Sequence, residues 1–321
     1  MGDVKPTSPV RNKILLIAFA LGLIIPVAII YARESLNTKV RGKKDLDRLS
    51  IPFVGEIPDC SPKKSFIKKF FEKKNKKKNN GDKSRHTIIK EGSRDVVNEA
   101  FRVVRTNIDF MAKDKSKNAI LLTSFNPGSG KSFIAANLAM SFAIKGKKVL
   151  VIDGDLRHGS ASAYVNSPSH GLCDYLAGSS NDWRKYVVKD STYPNFHVLP
   201  IGKVPPNPTE LIEEGNFERI LQEARPDYDY VLVDCPPIDI LADTQIIEKW
   251  TDRTIFVVRA GLMERSMVPE IDKVYASKKY KNMSLILNGT WGGGKYGYKY
   301  GYKYGYKYGY SYGHNYYGSE E

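Results

Sequence analysis

Asn126-Pro-Gly-Ser-Gly-Lys-Ser132 stands between an apolar run, Ala119 to Ser124 (AILLTS), and a stretch of helical character, Lys131 to Ile144. Consecutive amides of such a loop, with glycines permitting the dihedrals, cradle phosphate oxygens where a helix begins. The expected local order is therefore strand, loop, helix, as in a parallel α/β sheet that binds ligands at the carboxyl ends of its strands. Lys131 is expected to reach the β and γ phosphates of a nucleotide, and the Ser132 hydroxyl to bind Mg²⁺. Asn126, Pro127, Gly128, Ser129, Gly130, Lys131, Ser132 and Phe133 are the candidate nucleotide contacts. The usual pattern has glycine six residues before the lysine, where this chain has Phe125, so the strand-loop-helix context carries the assignment. A plain glycine-rich turn would not put Gly-Lys-Ser in register with a helix start.

Further apolar runs continue the alternation. Lys148 to Asp153, Phe196 to Pro200, Tyr230 to Asp234, Thr254 to Val258 and Leu285 to Asn288 read as strands. Helices are expected around Phe217 to Ala224, Thr244 to Trp250 and Val268 to Lys279. The strands are almost wholly apolar, as strands covered on both faces are. Two of them end in acids: Asp153-Gly-Asp155-Leu-Arg157 and Tyr230-Val-Leu-Val-Asp234-Cys-Pro-Pro237. A lone aspartate at a strand end is usually a cap or turn residue. Three converging on a phosphate loop are costly beside ATP unless a cation stands between them, which argues for Mg²⁺.

The chain has 321 residues, 41% of them hydrophobic, and a formal net charge of +15. That length allows roughly two domains and one substantial core. Cys60, Cys173 and Cys235 are isolated, without metal-ligand spacing, and fit a reducing cytosol. Ile14 to Tyr31 runs eighteen residues without a charge. As a helix it covers about 27 Å of a roughly 30 Å hydrocarbon core, so it is expected to span a membrane, the alternative being a buried core helix. More positive charge follows it (Arg33, Lys39, Arg41, Lys43, Lys44) than precedes it (Arg11, Lys13), which puts the downstream side in the cytoplasm. Leu46 to Pro58 reads as a short connector. Ser65 to Lys78 alternates Phe66, Ile67, Phe70 and Phe71 with lysines; it suits either an anionic leaflet or a solvated basic linker.

At the other end, Lys295 to Glu321 holds eleven tyrosines on and just after a Lys-Tyr-Gly-Tyr repeat that runs four times and is followed by Ser311-Tyr-Gly-His: Tyr296, Tyr298, Tyr300, Tyr302, Tyr304, Tyr306, Tyr308, Tyr310, Tyr312, Tyr316 and Tyr317. Frequent glycine and few aliphatic side chains leave it nothing to bury, so a disordered tail is expected. Alone, it could also be a sticky low-complexity segment or a stacking surface for single-stranded nucleic acid.

Taken together, Ser124 to Ser132, Val149 to Arg157, Val231 to Pro237 and the tyrosine cluster resemble the Walker A, A′ and B motifs and tail of the bacterial tyrosine kinases of P-loop type. These are the cytoplasmic kinases of capsular and exopolysaccharide export, more distantly related to the MinD and ParA ATPases. Glu99-Ala-Phe-Arg102-Val-Val-Arg105 is similar to the E-x-x-R-x-x-R motif that the family uses for ring assembly, and Pro206-Asn-Pro-Thr-Glu-Leu211 to a further family stretch. The resemblance covers Arg33 to Glu321. The transmembrane run resembles the second span of the fused polysaccharide copolymerase domain. The family's first span and periplasmic domain are not found before it, so a piece of a longer polypeptide is expected. The family's proline-rich signature survives at most as Lys5-Pro-Thr-Ser-Pro9.

The resemblance implies a MinD/ParA-like P-loop NTPase fold, a mostly parallel α/β sheet with helices on both faces. The expected organisation is an extracytoplasmic stub (1–13), a transmembrane helix (14–31), a connector with a Lys-rich linker (32–90), a kinase domain (91–290) and the tail (291–321). It implies ATP and Mg²⁺ as cofactors, with Ser132, Asp155 and Asp234 toward the metal, Asp153 as acceptor of the phenolic proton, and Arg157 beside the nucleotide. Asp153 and Asp155 could exchange roles. The implied partners are an octameric ring of copies assembled through Glu99, Arg102 and Arg105, the bacterial inner membrane, a cognate tyrosine phosphatase and the export machinery, with no nucleic acid. Glu99 and Arg102 could equally pair only within their helix. Two rival classes remain: a partitioning ATPase acting at membrane or DNA without kinase activity, and a membrane adaptor with a degenerate nucleotide site.

Overall fold

The structure, a computed structural model, describes residues 11–60, 87–112, 114, 116–214, 216–238 and 242–290. The expectations for the stub, the Lys-rich linker and the tyrosine tail lie outside the described residues. The chain divides into two units, residues 1–39 and 40–321.

The first unit is a helix, α1 (Arg11–Ser35), with Pro26 inside it. Lys13–Ala32 is long and apolar enough to cross a membrane, with a mean hydropathy of 2.8. Leu16 and Phe19 are each 70% exposed. They have the character of side chains that face lipid, and α1 fits a membrane anchor.

The second unit is built on one eight-stranded sheet. In chain order its strands are β1 (Phe53–Pro58), β2 (Ala119–Thr123), β3 (Val149–Asp153), β4 (Val188–Lys189), β5 (Phe196–Leu199), β6 (Tyr230–Asp234), β7 (Arg253–Arg259) and β8 (Ser284–Thr290). They lie in the order β1-β8-β7-β2-β6-β3-β5-β4, parallel except for the β4–β5 edge pair. The helices are α2 (Val96–Met111), α3 (Lys131–Ala143), α4 (Leu172–Leu176), α5 (Pro208–Glu213), α6 (Asn216–Ala224), α7 (Asp243–Glu248) and α8 (Val268–Ala276).

Successive strand residues alternate between two covered faces, which is why β2, β3 and β6 are buried throughout. Ile120, Leu122, Val149, Val151 and Leu232 join Phe101 and Val104 of α2 and Ile134, Leu138 and Phe142 of α3 in one core. Leu121, Leu150, Ile152, Val231 and Val233 join Leu172 of α4, Ile212 of α5, Phe217 and Ile220 of α6 and Ile247 of α7 in the other. Phe256, Val258, Leu285 and Leu287 pack with Ile271 of α8 and with Val40, Leu46 and Ile51 in a third cluster.

Leu46 to Pro58, expected as connector, instead supplies β1, which pairs in parallel with β8 from Phe53↔Leu285 to Pro58↔Thr290. The sheet thus draws on residues upstream of 91. Pro52, Gly55 and Pro58 punctuate the segment, and its pairing partner lies far along the chain, so no local pattern marks it as a strand.

Candidate functional site

The phosphate loop lies between β2 and α3, held from below and from the side. Gly128 and Gly130 take φ of +74° and +91°. The Ser129 and Ser124 hydroxyls donate to the Asn126 carbonyl at 2.7 and 2.9 Å. From the ends of β7 and β8, Arg259 Nη1 donates to the Gly128 carbonyl at 2.8 Å and Asn288 Nδ2 to the Ser129 carbonyl at 2.9 Å. A Cβ on Gly130 would lie 2.2 Å from Asn288 Nδ2, so both the dihedral and the space require glycine. Gly130 is also the N-cap of α3 and offers the first helical amides no side-chain acceptor, which leaves them suited to an anion. Phe125, at the position where the usual motif has glycine, is buried edge-to-face on Phe256, with ring centroids 5.0 Å apart. There it anchors the loop to β7.

Lys131 is buried at the start of α3. Burial pulls its ammonium below the ordinary lysine range, opposed by Asp234 and Asp155. Asp153 and Asp234 are neighbours in register at the ends of β3 and β6, and both are buried. Asp153 Oδ2 accepts from the Ser162 amide at 2.7 Å and its hydroxyl at 2.6 Å, whereas Oδ1 has no hydrogen-bond partner among the described residues. Burial, reinforced by Asp234, pushes the Asp153 carboxyl up to about 8. Asp155 Oδ1 accepts from the Arg157 and His158 amides at 3.3 and 3.2 Å. The turn after β3 is clamped to β6: the Gly154 amide donates to the Asp234 carbonyl at 2.8 Å. Among the described residues no three His, Cys, Asp or Glu side chains are grouped to hold a metal by themselves. Asp155 and Asp234, with the Ser132 hydroxyl, are the kind of oxygen donors that Mg²⁺ takes, one or two carboxylates with waters and substrate phosphates completing the shell.

Of the predicted contacts, Asn126 to Ser132, Asp153, Asp155 and Asp234 gather at this one mouth of the sheet. Two side chains go elsewhere. The Phe133 ring packs edge-to-face on Phe101 at 6.0 Å, so only its main chain is left for a ligand. Arg157 Nη2 donates to Thr209 Oγ1 at 3.0 Å and Nε lies 3.5 Å from Asp243 Oδ2, while Thr209 Oγ1 donates to Asp243 Oδ1 at 2.6 Å. The Pro206–Leu211 stretch therefore ties the turn after β3 to α7. On α2, Arg102 pairs with Glu99 at 2.7 Å, and Arg105 is buried with Nη1 donating to the Ser141 carbonyl at 2.7 Å. The expected trio is split: Glu99 and Arg102 stay partly exposed, and Arg105 turns onto α3. Ser162, Arg259, Asn288 and Asp243 carry no local motif and become visible only once the sheet has brought them to the site.

Residues 117–263 match the AAA domain family. The structure superposes on the kinase domain of Escherichia coli tyrosine kinase Etk with a TM-score of 0.66 and 28% identity, over 80% of this chain and 97% of that one. Etk of E. coli K12 is 31% identical over 261 residues, 80% of this chain. Tyrosine-protein kinase YwqD of Bacillus subtilis is 36% identical over 215 residues, covering 66% of this chain and 90% of YwqD. The chain belongs to the bacterial tyrosine kinases. It spans nearly all of YwqD but only 36% of the length of Etk. In this chain the phosphate loop lies at the carboxyl edge of the sheet, where Lys131 and the three aspartates converge.

Proposed function

We propose that this chain transfers the γ-phosphoryl group of ATP to tyrosine hydroxyls, its own tail tyrosines included. The observation that carries the reading is a buried lysine and three strand-end aspartates at a phosphate loop, in a chain that also supplies eleven tyrosines between Tyr296 and Tyr317. A phenolic oxygen of the tail attacks the γ-phosphorus, the bond to the β-phosphate oxygen breaks, and ADP leaves. Such a transfer depends on positioning and charge stabilisation more than on covalent help. Lys131 and the loop amides steady the β and γ phosphates. Ser132, Asp155 and Asp234 would hold Mg²⁺, which would supply neutralising charge for the phosphates. Asp153 takes the phenolic proton at Oδ1, the atom that Ser162 leaves open. The two hydrogen bonds from Ser162 favour the ionised, proton-accepting form of that carboxyl, against its burial and the neighbouring Asp234.

Copies assemble along α2, in a ring of the kind its E-x-x-R-x-x-R motif serves in the family. Val96, Val103 and Phe110 recur every seven residues on this helix and are 48%, 55% and 79% exposed, an apolar stripe beside Glu99 and Arg102. With α1 in the inner membrane and the kinase domain and tail in the cytoplasm, the chain would act on capsular or exopolysaccharide export, its tail reset by a phosphatase. Incubating it with labelled ATP and Mg²⁺, beside Lys131→Met, tests the reading. Label on tail peptides that is absent from the variant supports it; ATP hydrolysis without label would mark a partitioning ATPase instead.

A further inference from the structure

One cleft collects positive charge that the proposed chemistry does not use. Lys90, Arg102, Arg105 and Lys145 line a cavity of about 280 Å³ with a single carboxylate, Glu91. The four cations come from three places in the chain: the segment before α2, α2 itself, and the turn after α3. Arg105 is buried beneath it, and of its donors Nη1 is committed to Ser141, at 2.7 Å to the carbonyl and 3.1 Å to the hydroxyl. Arg102 gives Nη1 to Glu99 and Nη2 to the Ser93 carbonyl, each at 2.7 Å. Lys90 and Lys145 are exposed. Burial lowers the proton affinity of Arg105 and Arg102 lowers it further, with Asp109 opposing. Two guanidinium groups that each keep N–H donors beyond these bonds, in a partly desolvated cleft, make a good anion receptor.

We propose that this cleft binds phosphotyrosine from the chain's own tail. The planar forks of Arg102 and Arg105 and the two lysine ammonium groups match a phosphate dianion, which brings three strong acceptor oxygens and about −1.5 to −2 of charge. The identity of the occupant follows from sign. Unmodified, the tail carries four lysines against Glu320 and Glu321 and is repelled by a cationic cleft. One phosphate nearly cancels that charge and two reverse its sign, so occupancy is gated by the modification. Because Arg102 also borders the apolar stripe of α2, a bound phosphotyrosine would compete with a neighbouring copy for the same helix. The inference rests on the kinase reading only for how the tail becomes modified.

A synthetic peptide avoids that dependence. Fluorescently labelled Lys303–Tyr317 peptide, with phosphate at Tyr308 and Tyr310 or unmodified, is titrated against the phosphatase-treated full chain in detergent and followed by anisotropy. The phosphorylated peptide should bind saturably and the unmodified one at least about tenfold more weakly. The double variant Lys90→Ala/Lys145→Ala, which alters exposed side chains and should melt with the parent, should lose about tenfold in affinity. Lys131→Met should bind like the parent, which separates a failed cleft from a failed kinase. Equal binding of both peptides, unchanged binding by the double variant, or displacement of the phosphopeptide by ADP and Mg²⁺ would each overturn the proposal.

Discussion

At the amino ends of the central strands, Asp252 accepts from the Ala119 amide at 3.0 Å and pairs with the Arg225 guanidinium, whose Nη2 also donates to the Trp250 carbonyl at 2.8 Å. Asn118 Nδ2 donates to the Tyr228 carbonyl at 2.7 Å, and Lys148 lies over the Tyr228 ring, 4.8 Å from its centroid. At the carboxyl ends of the same strands, Lys131, Asp153 and Asp234 are buried together and Asp153 Oδ1 is left without a hydrogen-bond partner among the described residues. One end spends its polar groups on holding the strands in place, whereas the other keeps a costly cluster of like charges. A fold that pairs Asp252 with Arg225 at one end does not crowd like charges at the other for stability. The crowded end is where a ligand completes the electrostatics.

The strongest way to break this comparison is to remove charge at the crowded end. Lys131→Met should lower transfer to the tail by roughly 100- to 1000-fold, the scale of losing a group that stabilises developing charge. Its melting temperature should stay level or rise, because a desolvated ammonium has been removed. A variant that loses activity by unfolding would instead make Lys131 a structural residue.

The opposite change belongs at the paired end. Asp252→Ala leaves the partly buried Arg225 and the Ala119 amide without their acceptor and should cost about 2–3 kcal/mol in denaturant unfolding. Transfer by the fraction still folded should be unchanged, since Asp252 lies at the far ends of the strands. Parallel losses of stability and specific activity would erase the division between the two ends.

How far the sequence discloses these two ends differs for a physical reason. The phosphate loop and the acids at the ends of β3 and β6 are legible because a strand end and the residues just after it are local in the chain. The apolar runs of β2, β3 and β5 to β8 were equally plain, as strands covered on both faces need no alternation to be seen. What was not legible comes from pairing at a distance. β1 is a strand only because β8 lies beside it, and Asn288 and Arg259 support the loop only because β7 and β8 end next to it. Phe125 departs from the motif for a reason found in Phe256, and Arg157 turns to Asp243, which no spacing in the Asp153–Arg157 stretch foretells.

Arg157 offers a finer test of the crowded end. Thr209→Val keeps the shape of the side chain but removes the hydroxyl that links Arg157 to Asp243. If the link only steadies the turn carrying Asp155, kcat should fall about fivefold, the cost of roughly one hydrogen bond, with little change in KM for ATP. Thr209→Ser should restore it. A rise in KM alone would put Arg157 in direct contact with nucleotide.

The smallest effect separates the two ends by pH. His197, near the start of β5, gives Nε2–H to the Pro194 carbonyl at 2.8 Å and has Nδ1 2.9 Å from the Tyr228 hydroxyl, which donates to it while the ring is neutral. Burial holds its protonation below the ordinary histidine range, and Lys189 and Lys148 add to this while the Pro194 bond opposes it. The unfolded chain therefore takes up the proton first as pH falls. Stability from this site is complete above the ordinary value of about 6.5 and declines as pH drops from there through the lower folded value. His197→Gln can keep both hydrogen bonds without titrating, so its melting temperature should lose that part of the pH dependence and match the parent above neutrality. If both proteins lose stability in parallel below pH 6.5, the proton is being taken up elsewhere, and His197 no longer counts among the groups that hold the amino ends together.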